Sequence, residues 1–293
     1  MKGRLKGYKA LPLTVPYWRP GVNFIESIIE AVKGKIRDGD YVVVSEKAVS
    51  TALGNLLDEG DVKAGFMARL LAGFWTRIVW GFFLGRLSRL REETLERIRN
   101  YPLSEGSRHK QVVLLHTGLL NALMFGSEGG IDGTNLPYGY VALPLSNPYV
   151  WTEKIRDALL KKLGVKVTVL ISDTDKTYSL GRLHFTPRST QVRGIHSFGG
   201  FLAYLLGRML RLEMNATPLA VSGEEISPEE ALKLAEVANR ARGHGVSRTI
   251  VGMASAFGVP VDSVTWEMLE KATHKPVVLI RSTRSRRALV FRE

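Results

Sequence analysis

The chain has 293 residues, with 41 lysines and arginines against 28 aspartates and glutamates, so its formal net charge is +13. Hydrophobic residues make up 45% of the sequence, which excludes an intrinsically disordered chain. Cysteine is absent, so disulfides, thiolate metal sites and cysteine nucleophiles are excluded, and any metal must be held by oxygen or histidine ligands.

The amino terminus is basic, but no uninterrupted apolar stretch and no small-residue cleavage site follow it. We therefore expect a cytoplasmic protein without a signal peptide. Glutamine occurs only as Gln111 and Gln191, and this scarcity of labile side chains indicates a thermophilic source.

The first part of the chain contains one predicted helix and one predicted strand. The apolar spacing of residues 24–35 is typical of a helix, and the β-branched run Tyr41–Val44 is typical of a buried strand. This strand delivers Ser45 and Glu46 at its carboxyl end, where α/β-type proteins commonly place ligand groups.

Residues 64–99 carry a broad apolar helical face around Phe74 and Ile78. The window of residues 70–87 approaches the length that spans a membrane, but Arg77 lies in its middle and makes insertion costly. We therefore expect no transmembrane span. Burial against the core or a partner subunit is favoured, and attachment to the surface of anionic lipid is the other interpretation left open.

The middle of the chain contains several predicted strands. Residues 101–110 are polar and rich in turn formers, which predicts a loop, whereas residues 112–116 and 140–145 have strand patterns. Residues 165–172 form the clearest predicted strand, and it runs directly into Asp173.

The last part of the chain begins with a helix start signal at Ser227, which is followed by a proline and two glutamates. Short helical patterns follow within residues 247–272, and residues 276–281 and 288–291 have the pattern of closing strands. The mixture of strands and helices predicts an α+β or an α/β fold. Our predicted division is a core of residues 1–221, a helical insertion of 222–275, and closing strands with a basic tail over 276–293.

The sequence lacks the motifs GxxxxGK[ST], GxGxxG, HExxH and GxSxG. Their absence disfavours the common nucleotide-binding loops, zincins and serine hydrolases. A nucleotide site of another design stays open.

Two acidic residues lie in segments that expose the backbone. Asp132 follows Gly129 and Gly130, and Asp173 ends a predicted strand beside Thr174. Carboxylates placed by a glycine loop and a rigid strand suit a hard cation such as Mg²⁺ or Mn²⁺, which in turn binds phosphate oxygens. An aspartate–threonine pair at a strand end is also typical of a turn or a helix cap, so both interpretations stay open.

The segment of residues 129–175, GGIDGTNLPYGYVALPLSNP…IRDALLKKLGVKVTVLISDTD, resembles the coenzyme F-420-0:L-glutamate ligase family. The positions that match the family pattern are Gly130, Ile131, Asp132, Asn135, Pro137, Gly139, Leu143, Pro144, Pro148, Ile155, Arg156, Ser172, Asp173 and Thr174. The resemblance extends more loosely to Leu11–Leu13 and to residues 42–50, and it becomes weak after Gly181.

The resemblance implies an enzyme that binds GTP with two divalent cations, Mg²⁺ or Mn²⁺, and joins L-glutamate to a carboxylate by way of an acyl phosphate. It also implies an α+β fold, with mixed β-sheets and flanking helices in two subdomains, and a homodimer with the site near the subunit interface. Carried over by position, Asp132 and Asp173 are the catalytic carboxylates and hold the metals together with Thr174. The nucleotide pocket is then formed by Leu11, Pro12, Leu13, Thr14, Ser45, Glu46 and Asn135. Residues 242–245 loosely match the later nucleotide loop of the family.

The chain departs from the family in the segments expected to bind the other substrates. Where the family has Ser-Lys-Ala-Glu-Gly-Arg, residues 50–55 read STALGN, so a lysine, a glutamate and an arginine are missing. Asn147 replaces an aspartate, and residues 184–188 replace an Ala-Ile-Gly stretch. This pattern favours a paralogue with a different acceptor, and the first alternative is a nucleotide- and metal-binding paralogue with altered or lost ligase activity.

Several cations and histidines are further candidates for the site. Lys47, Arg188 and Arg193 carry the charge to cover phosphate or carboxylate groups, but we expect them to be solvated surface residues. None of the histidines has a partner at metal-ligand spacing. His116, at the end of a predicted strand, is the one candidate acid or base.

The charge of +13 also admits a nucleic-acid function, which is the second alternative. Ala254, Gly258 and Val264 fit a helix-turn-helix within residues 247–272. However, Glu267 falls where that motif needs an apolar residue, and a recognition helix facing phosphates should not be net acidic. We therefore expect the partners to be a nucleotide and a carboxylate-bearing small molecule rather than a nucleic acid.

Overall fold

The computed structural model describes residues 4–5, 7–126 and 128–283. The strand predicted at residues 288–291 and most of the predicted basic tail lie outside these ranges.

A mixed sheet lies at the centre of the fold, with strand order β1-β2-β10-β3-β6-β7-β8, and β9 pairs along the length of β6. Its strands are β1 (Arg4–Leu5), β2 (Tyr8–Val15), β3 (Tyr41–Ser45), β6 (Thr168–Leu180), β7 (Leu183–Thr186), β8 (Ile195–Ser197), β9 (Glu213–Ser222) and β10 (His274–Ser282). The remaining strands, β4 (Leu56–Asp58) and β5 (Tyr140–Ala142), pair with each other in a separate ribbon.

The described helices, in chain order, are α1 (Phe24–Val32), α2 (Glu46–Ala52), α3 (Phe66–Leu87), α4 (Glu92–Arg99), α5 (Leu103–His116), α6 (Leu119–Ala122), α7 (Pro148–Leu163), α8 (Phe201–Met209), α9 (Pro228–Arg242), α10 (Ile250–Phe257) and α11 (Trp266–Glu270). Short 3₁₀ turns span Glu59–Asp61 and Val261–Ser263. The middle of α3, Leu71–Leu84, is π-helical.

Alternating side chains give the central sheet two apolar faces. Val42 and Val44 of β3 pack with residues of α1 and α7, whereas Tyr41 and Val43 of the same strand pack with residues of α9. Helices therefore cover both faces, which confirms the predicted class of mixed sheets with flanking helices. Helix α9 comes from the segment predicted as an insertion, and in the structure it supplies part of the core.

Residues 101–116 differ from the sequence prediction. The expected loop at 101–110 and strand at 112–116 are both wrong, because α5 runs through most of this segment. The run VVLL is too short for its period to distinguish a strand from a helix. Val112 and Val113 are buried while Leu115 and His116 are exposed, so the proposed acid or base lies exposed at a helix end.

Helix α3 packs one side into the fold and leaves the other in solvent. The indole N–H groups of Trp75 and Trp80 both donate to the carbonyl oxygen of Leu123, at 2.8 and 2.6 Å. In the described ranges, α3 is the single helix that is long and apolar enough to cross a membrane, and 33% of its most apolar window is buried inside the protein.

Replacing glycine by alanine is expected to change the free energy of unfolding in opposite directions at two helical positions. A Cβ at Gly207 of α8 would overlap the ring of Tyr178, whereas a Cβ at Gly73 of α3 would meet only Leu103 at an ordinary 3.6 Å. We expect Gly207→Ala to lower the free energy of unfolding by about 2 kcal/mol through overpacking. Gly73→Ala should raise it by up to about 1 kcal/mol, because glycine is the poorer helix former.

Urea unfolding followed by far-UV circular dichroism measures both variants. Equal effects of the two substitutions would contradict the close packing of α8 on β6.

Candidate functional site

The candidate site lies where β3 ends beside the middle of β6. These strands run parallel, with Ser45 opposite Ser172. The expected strand end at Asp173 is wrong, because β6 continues to Leu180, where it pairs with β7 and β9. Glu46 begins α2 directly after β3, and Asp173 follows Ser172 at an irregularity in β6. The topology alone therefore brings these carboxylates into one region.

Arg188 joins the carboxylates of this region. Its side chain is 2% exposed, and its Nε lies 2.9 Å from Asp173 Oδ2. One terminal nitrogen donates to Glu46 Oε2, and the other donates to the carbonyl oxygen of Gly129. Burial acts to lower the pKa of Arg188, but the charges of the neighbouring carboxylates outweigh burial and raise the pKa above its ordinary value. The guanidinium therefore stays charged.

The glycine loop is shaped to admit this arginine. Gly130 has a φ of +94°, and a Cβ at this position would overlap the Arg188 guanidinium. Glycine is therefore required here both for the left-handed backbone and for the close approach.

A second ion pair fixes Asp132. Lys47 Nζ lies 2.7 Å from Asp132 Oδ2 and also donates to the carbonyl and hydroxyl oxygens of Thr134. The backbone N–H of Thr134 donates to Asp132 Oδ1 at 2.7 Å. Burial acts to raise the pKa of Asp132, but the charge and hydrogen bonds of Lys47 outweigh it and hold the pKa below its usual value.

The pKa of Glu46 is shifted in the opposite direction, upward. Burial raises its pKa to about 6, the Arg188 charge acts in the other direction, and the neighbouring Asp173 adds to the rise. The backbone N–H of Leu145 donates to Glu46 Oε1 at 3.0 Å, which ties the carboxylate to the segment after β5.

Asn135 joins the glycine loop to the segment after α9. Its Oδ1 accepts from the backbone N–H of Val246 at 2.7 Å, and its Nδ2 donates to the carbonyl oxygens of His244 and Ser247. The hydroxyl of Tyr17 donates to the carbonyl oxygen of Asn135 at 2.5 Å. The structure thus places the loose sequence match at residues 242–245 beside the Asn135 loop.

Arg242 and His274 lie beside these groups with nitrogens that make no hydrogen bond. Both terminal nitrogens of Arg242 and Nε2 of His274 are buried and have no hydrogen-bond partner among the residues that the structure describes. Burial lowers the pKa of Arg242 to about 10, although the nearby Asp173 opposes this shift. Burial also lowers the pKa of His274 to about 4, and the charges of Arg242 and Lys47 contribute.

A buried lysine of α5 fixes the start of the glycine loop. Lys110 is fully buried and donates to Glu128 Oε1 at 2.7 Å and to the carbonyl oxygens of Ala122 and Met124. The same carboxylate accepts the backbone N–H of Gly126. Helix α5 therefore positions the backbone that leads to Asp132.

The residues predicted for the nucleotide pocket lie at different depths. β2 runs parallel to β3, because both pair antiparallel with β10. Thr14 lies near the site edge, whereas Leu11 pairs with Leu279 inside the sheet. On the same strand as these two, Pro12 is partly buried and Leu13 belongs to the core. Thr174 is exposed, and its backbone N–H donates to Asp173 Oδ1 at 2.6 Å. The roles of these residues stay predictions.

The expectation of solvated cations is wrong for two of the three residues. Arg188 is buried, and Lys47 is partly buried in an ion pair, while Arg193 is exposed as expected. Sequence reasoning named Arg242 only within the loose family match at residues 242–245, and it missed His274 as a side chain of the site.

The divalent cations implied by the resemblance need several free oxygen ligands. In the structure Asp132 is paired with Lys47, and Asp173 and Glu46 are paired with Arg188. The described ranges contain no cluster of three or more histidine, aspartate or glutamate side chains that is arranged to hold a metal. This arrangement does not fit a metal held by the protein alone, and the metal role of Asp132, Asp173 and Thr174 stays a prediction.

Comparison with known proteins identifies a family. The family model described as F420-0:Gamma-glutamyl ligase matches residues 12–249, a range that excludes Leu11 and His274. An uncharacterized protein of Methanocaldococcus jannaschii, MJ1361, is 37% identical over 286 residues, covering 93% of this chain and 96% of its own length.

His274 predicts a measurable pH dependence of stability. Its pKa is about 4 in the folded chain against an ordinary value of 6.5, so the neutral form is favoured on folding. This contribution is fully present above pH 6.5 and is lost as the pH falls toward 4. We expect His274→Asn to make the slope of unfolding free energy against pH shallower in this range, by up to about 1.4 kcal/mol per pH unit.

Urea unfolding at a series of pH values measures the slope. The control variant is His196→Asn, because His196 is exposed on β8. It should show the same slope as the unsubstituted protein. An unchanged slope in His274→Asn would contradict the burial of a neutral histidine at this site.

Proposed function

Because the chain belongs to the F420-0:gamma-glutamyl ligase family, we propose that it joins L-glutamate to the carboxylate of an acceptor at the expense of GTP. The family establishes a gamma-glutamyl ligase type of function. The nucleotide, the acyl phosphate and the roles of individual residues are the proposal.

In the proposed reaction, an acceptor carboxylate oxygen attacks the terminal phosphorus of GTP, forming an acyl phosphate and releasing GDP. The amino group of glutamate then attacks the acyl carbon, phosphate leaves, and the nitrogen loses a proton as the amide forms. Positively charged groups held in place at the site would stabilise the charge on the transferred phosphoryl group.

The observation that carries the proposal is the unpaired charge of Arg242. Both terminal nitrogens of its guanidinium are buried beside the loop that Asn135 holds, and no group in residues 4–5, 7–126 and 128–283 forms a hydrogen bond with them. A buried guanidinium in this state is costly unless an anion pairs with it. A phosphate oxygen of the nucleotide supplies such an anion, and arginine matches phosphate geometry with paired N–H donors.

Lys47 and Arg188 have a different part in this proposal. Their donors are already engaged by Asp132, Thr134, Glu46 and the Gly129 carbonyl. They therefore hold the glycine loop against the end of β3 and the middle of β6 and reduce the negative charge that a triphosphate meets there. Mg²⁺ usually binds through one or two carboxylates together with substrate phosphates, so Mg²⁺ or Mn²⁺ supplied with the nucleotide needs fewer protein ligands.

The positions that lost the family's charged residues now serve the local structure. The Thr51 hydroxyl donates to the carbonyl oxygen of Lys47, and the Asn55 side chain donates to the carbonyl oxygens of Leu143 and Pro144. Leu53, which stands where the family has a glutamate, carries no charge. This supports a different acceptor from that of the family, and we propose a homodimer in line with the family resemblance.

Replacing Arg242 tests nucleotide binding. We expect Arg242→Gln to weaken GTP binding by about 10- to 100-fold, because one hydrogen bond to a charged partner is lost. Arg240, on the same helix, pairs with Glu236 with a side chain that is 61% exposed, so Arg240→Gln is the matched control and should bind as the unsubstituted protein does.

Isothermal titration calorimetry with GTP measures all three proteins, with and without Mg²⁺ and Mn²⁺. Equal affinities for Arg242→Gln and Arg240→Gln would contradict the phosphate role of Arg242. Glutamate-dependent release of phosphate from GTP, screened over carboxylate acceptors, then tests the ligase reaction.

A further inference from the structure

Helix α3 presents an apolar stripe to solvent. Its exposed large side chains recur about every four residues, a spacing that keeps them on one side of the π-helical segment. They are Phe66, Met67, Leu70, Phe74, Ile78, Phe82, Phe83 and Leu87. Phe66 is 81% exposed, Phe83 66% and Phe74 55%. An exposed apolar surface of this extent marks a contact with a partner or a membrane.

The segment that carries the stripe is positively charged throughout. Residues 62–91 contain no aspartate or glutamate, and their cations are Lys63, Arg69, Arg77, Arg86, Arg89 and Arg91. Arg69 and Arg86 are exposed near the two ends of the helix, so the apolar stripe is flanked by positive charge.

The opposite side of α3 is fixed to the rest of the protein. Trp80 is fully buried, and both Trp75 and Trp80 donate to the Leu123 carbonyl oxygen. Gly81 packs closely against Arg99, and Gly85 packs against Leu95. The helix cannot leave these contacts to cross a bilayer, so any membrane contact must be made by the exposed side alone.

We propose that the α3 stripe docks on the surface of a membrane that contains anionic lipid. The apolar side chains would enter the boundary between headgroups and acyl chains, while the flanking arginines and Lys63 meet the negative surface. A second copy of the chain fits less well. In a two-fold dimer the same face meets itself, which would bring two acid-free, cationic segments together. The proposal does not depend on the ligase function.

Sedimentation with sucrose-loaded vesicles tests the docking. We expect at least tenfold stronger partitioning onto phosphatidylcholine vesicles that contain about 30 mol% phosphatidylglycerol than onto phosphatidylcholine alone. Binding should weaken as NaCl is raised to about 0.5 M, because salt screens the exposed cations.

Variants separate the apolar and charged contributions. Phe74→Glu with Phe83→Glu should lower partitioning onto the anionic vesicles at least tenfold, and Arg69→Gln with Arg86→Gln should reduce the preference for anionic lipid. The matched control is Leu180→Glu with Leu183→Glu, because these leucines are also exposed but lie in the β6–β7 hairpin. The control should bind as the unsubstituted protein does.

The oligomeric state tests the alternative that a second copy of the chain, rather than a membrane, covers the stripe. Analytical ultracentrifugation should give the same mass for the unsubstituted protein and for Phe74→Glu with Phe83→Glu, and circular dichroism should show that both are folded. A dimer that dissociates in this variant, or equal binding to neutral and anionic vesicles, would overturn the proposal. GTP binding by the same variant is expected to be unchanged, so the result is independent of the nucleotide site.

Discussion

The buried guanidinium of Arg188 is the constraint on which the site depends. It pairs with Asp173 after the first part of β6, with Glu46 after β3, and with the carbonyl oxygen of Gly129 in the glycine loop. A buried charge is tolerated only where partners satisfy it, so these three segments must meet at one point. Gly130 is part of the same constraint, because any side chain there would occupy the space of the arginine.

This arrangement separates the cations of the site by their role. Lys47 and Arg188 are engaged by groups of the protein, whereas two buried nitrogens of Arg242 have no hydrogen-bond partner in the described part of the chain. The site is therefore held together by internal ion pairs and keeps one guanidinium available for an anionic ligand. The segment of residues 50–55 has meanwhile taken structural roles, as the hydrogen bonds of Thr51 and Asn55 show.

The sequence predicted the parts of this picture that depend on local pattern. The strand predicted at Tyr41–Val44 and the capped helix after Ser227 follow from β-branching and cap chemistry. The strand end predicted at Asp173 is wrong, because β6 continues to Leu180 through pairing with strands that are distant in sequence. The burial of Arg188 was not predicted, because it results from contacts with Glu46 and Gly129, both far away in sequence. Residues 112–116 were missed because a short apolar run fits a strand and a helix equally, and only packing against the rest of α5 and α3 decides between them.

A double-mutant cycle on Glu46 and Arg188 tests the central constraint most directly. The measurement is the free energy of unfolding in urea for the unsubstituted protein, Glu46→Gln, Arg188→Met and the double variant. A buried pair that organises the site predicts a coupling energy of about 2 kcal/mol or more, whereas the exposed pair Glu30–Lys33, taken through the same cycle, should give about 0.5 kcal/mol or less. Additive effects of the Glu46 and Arg188 substitutions would contradict the account.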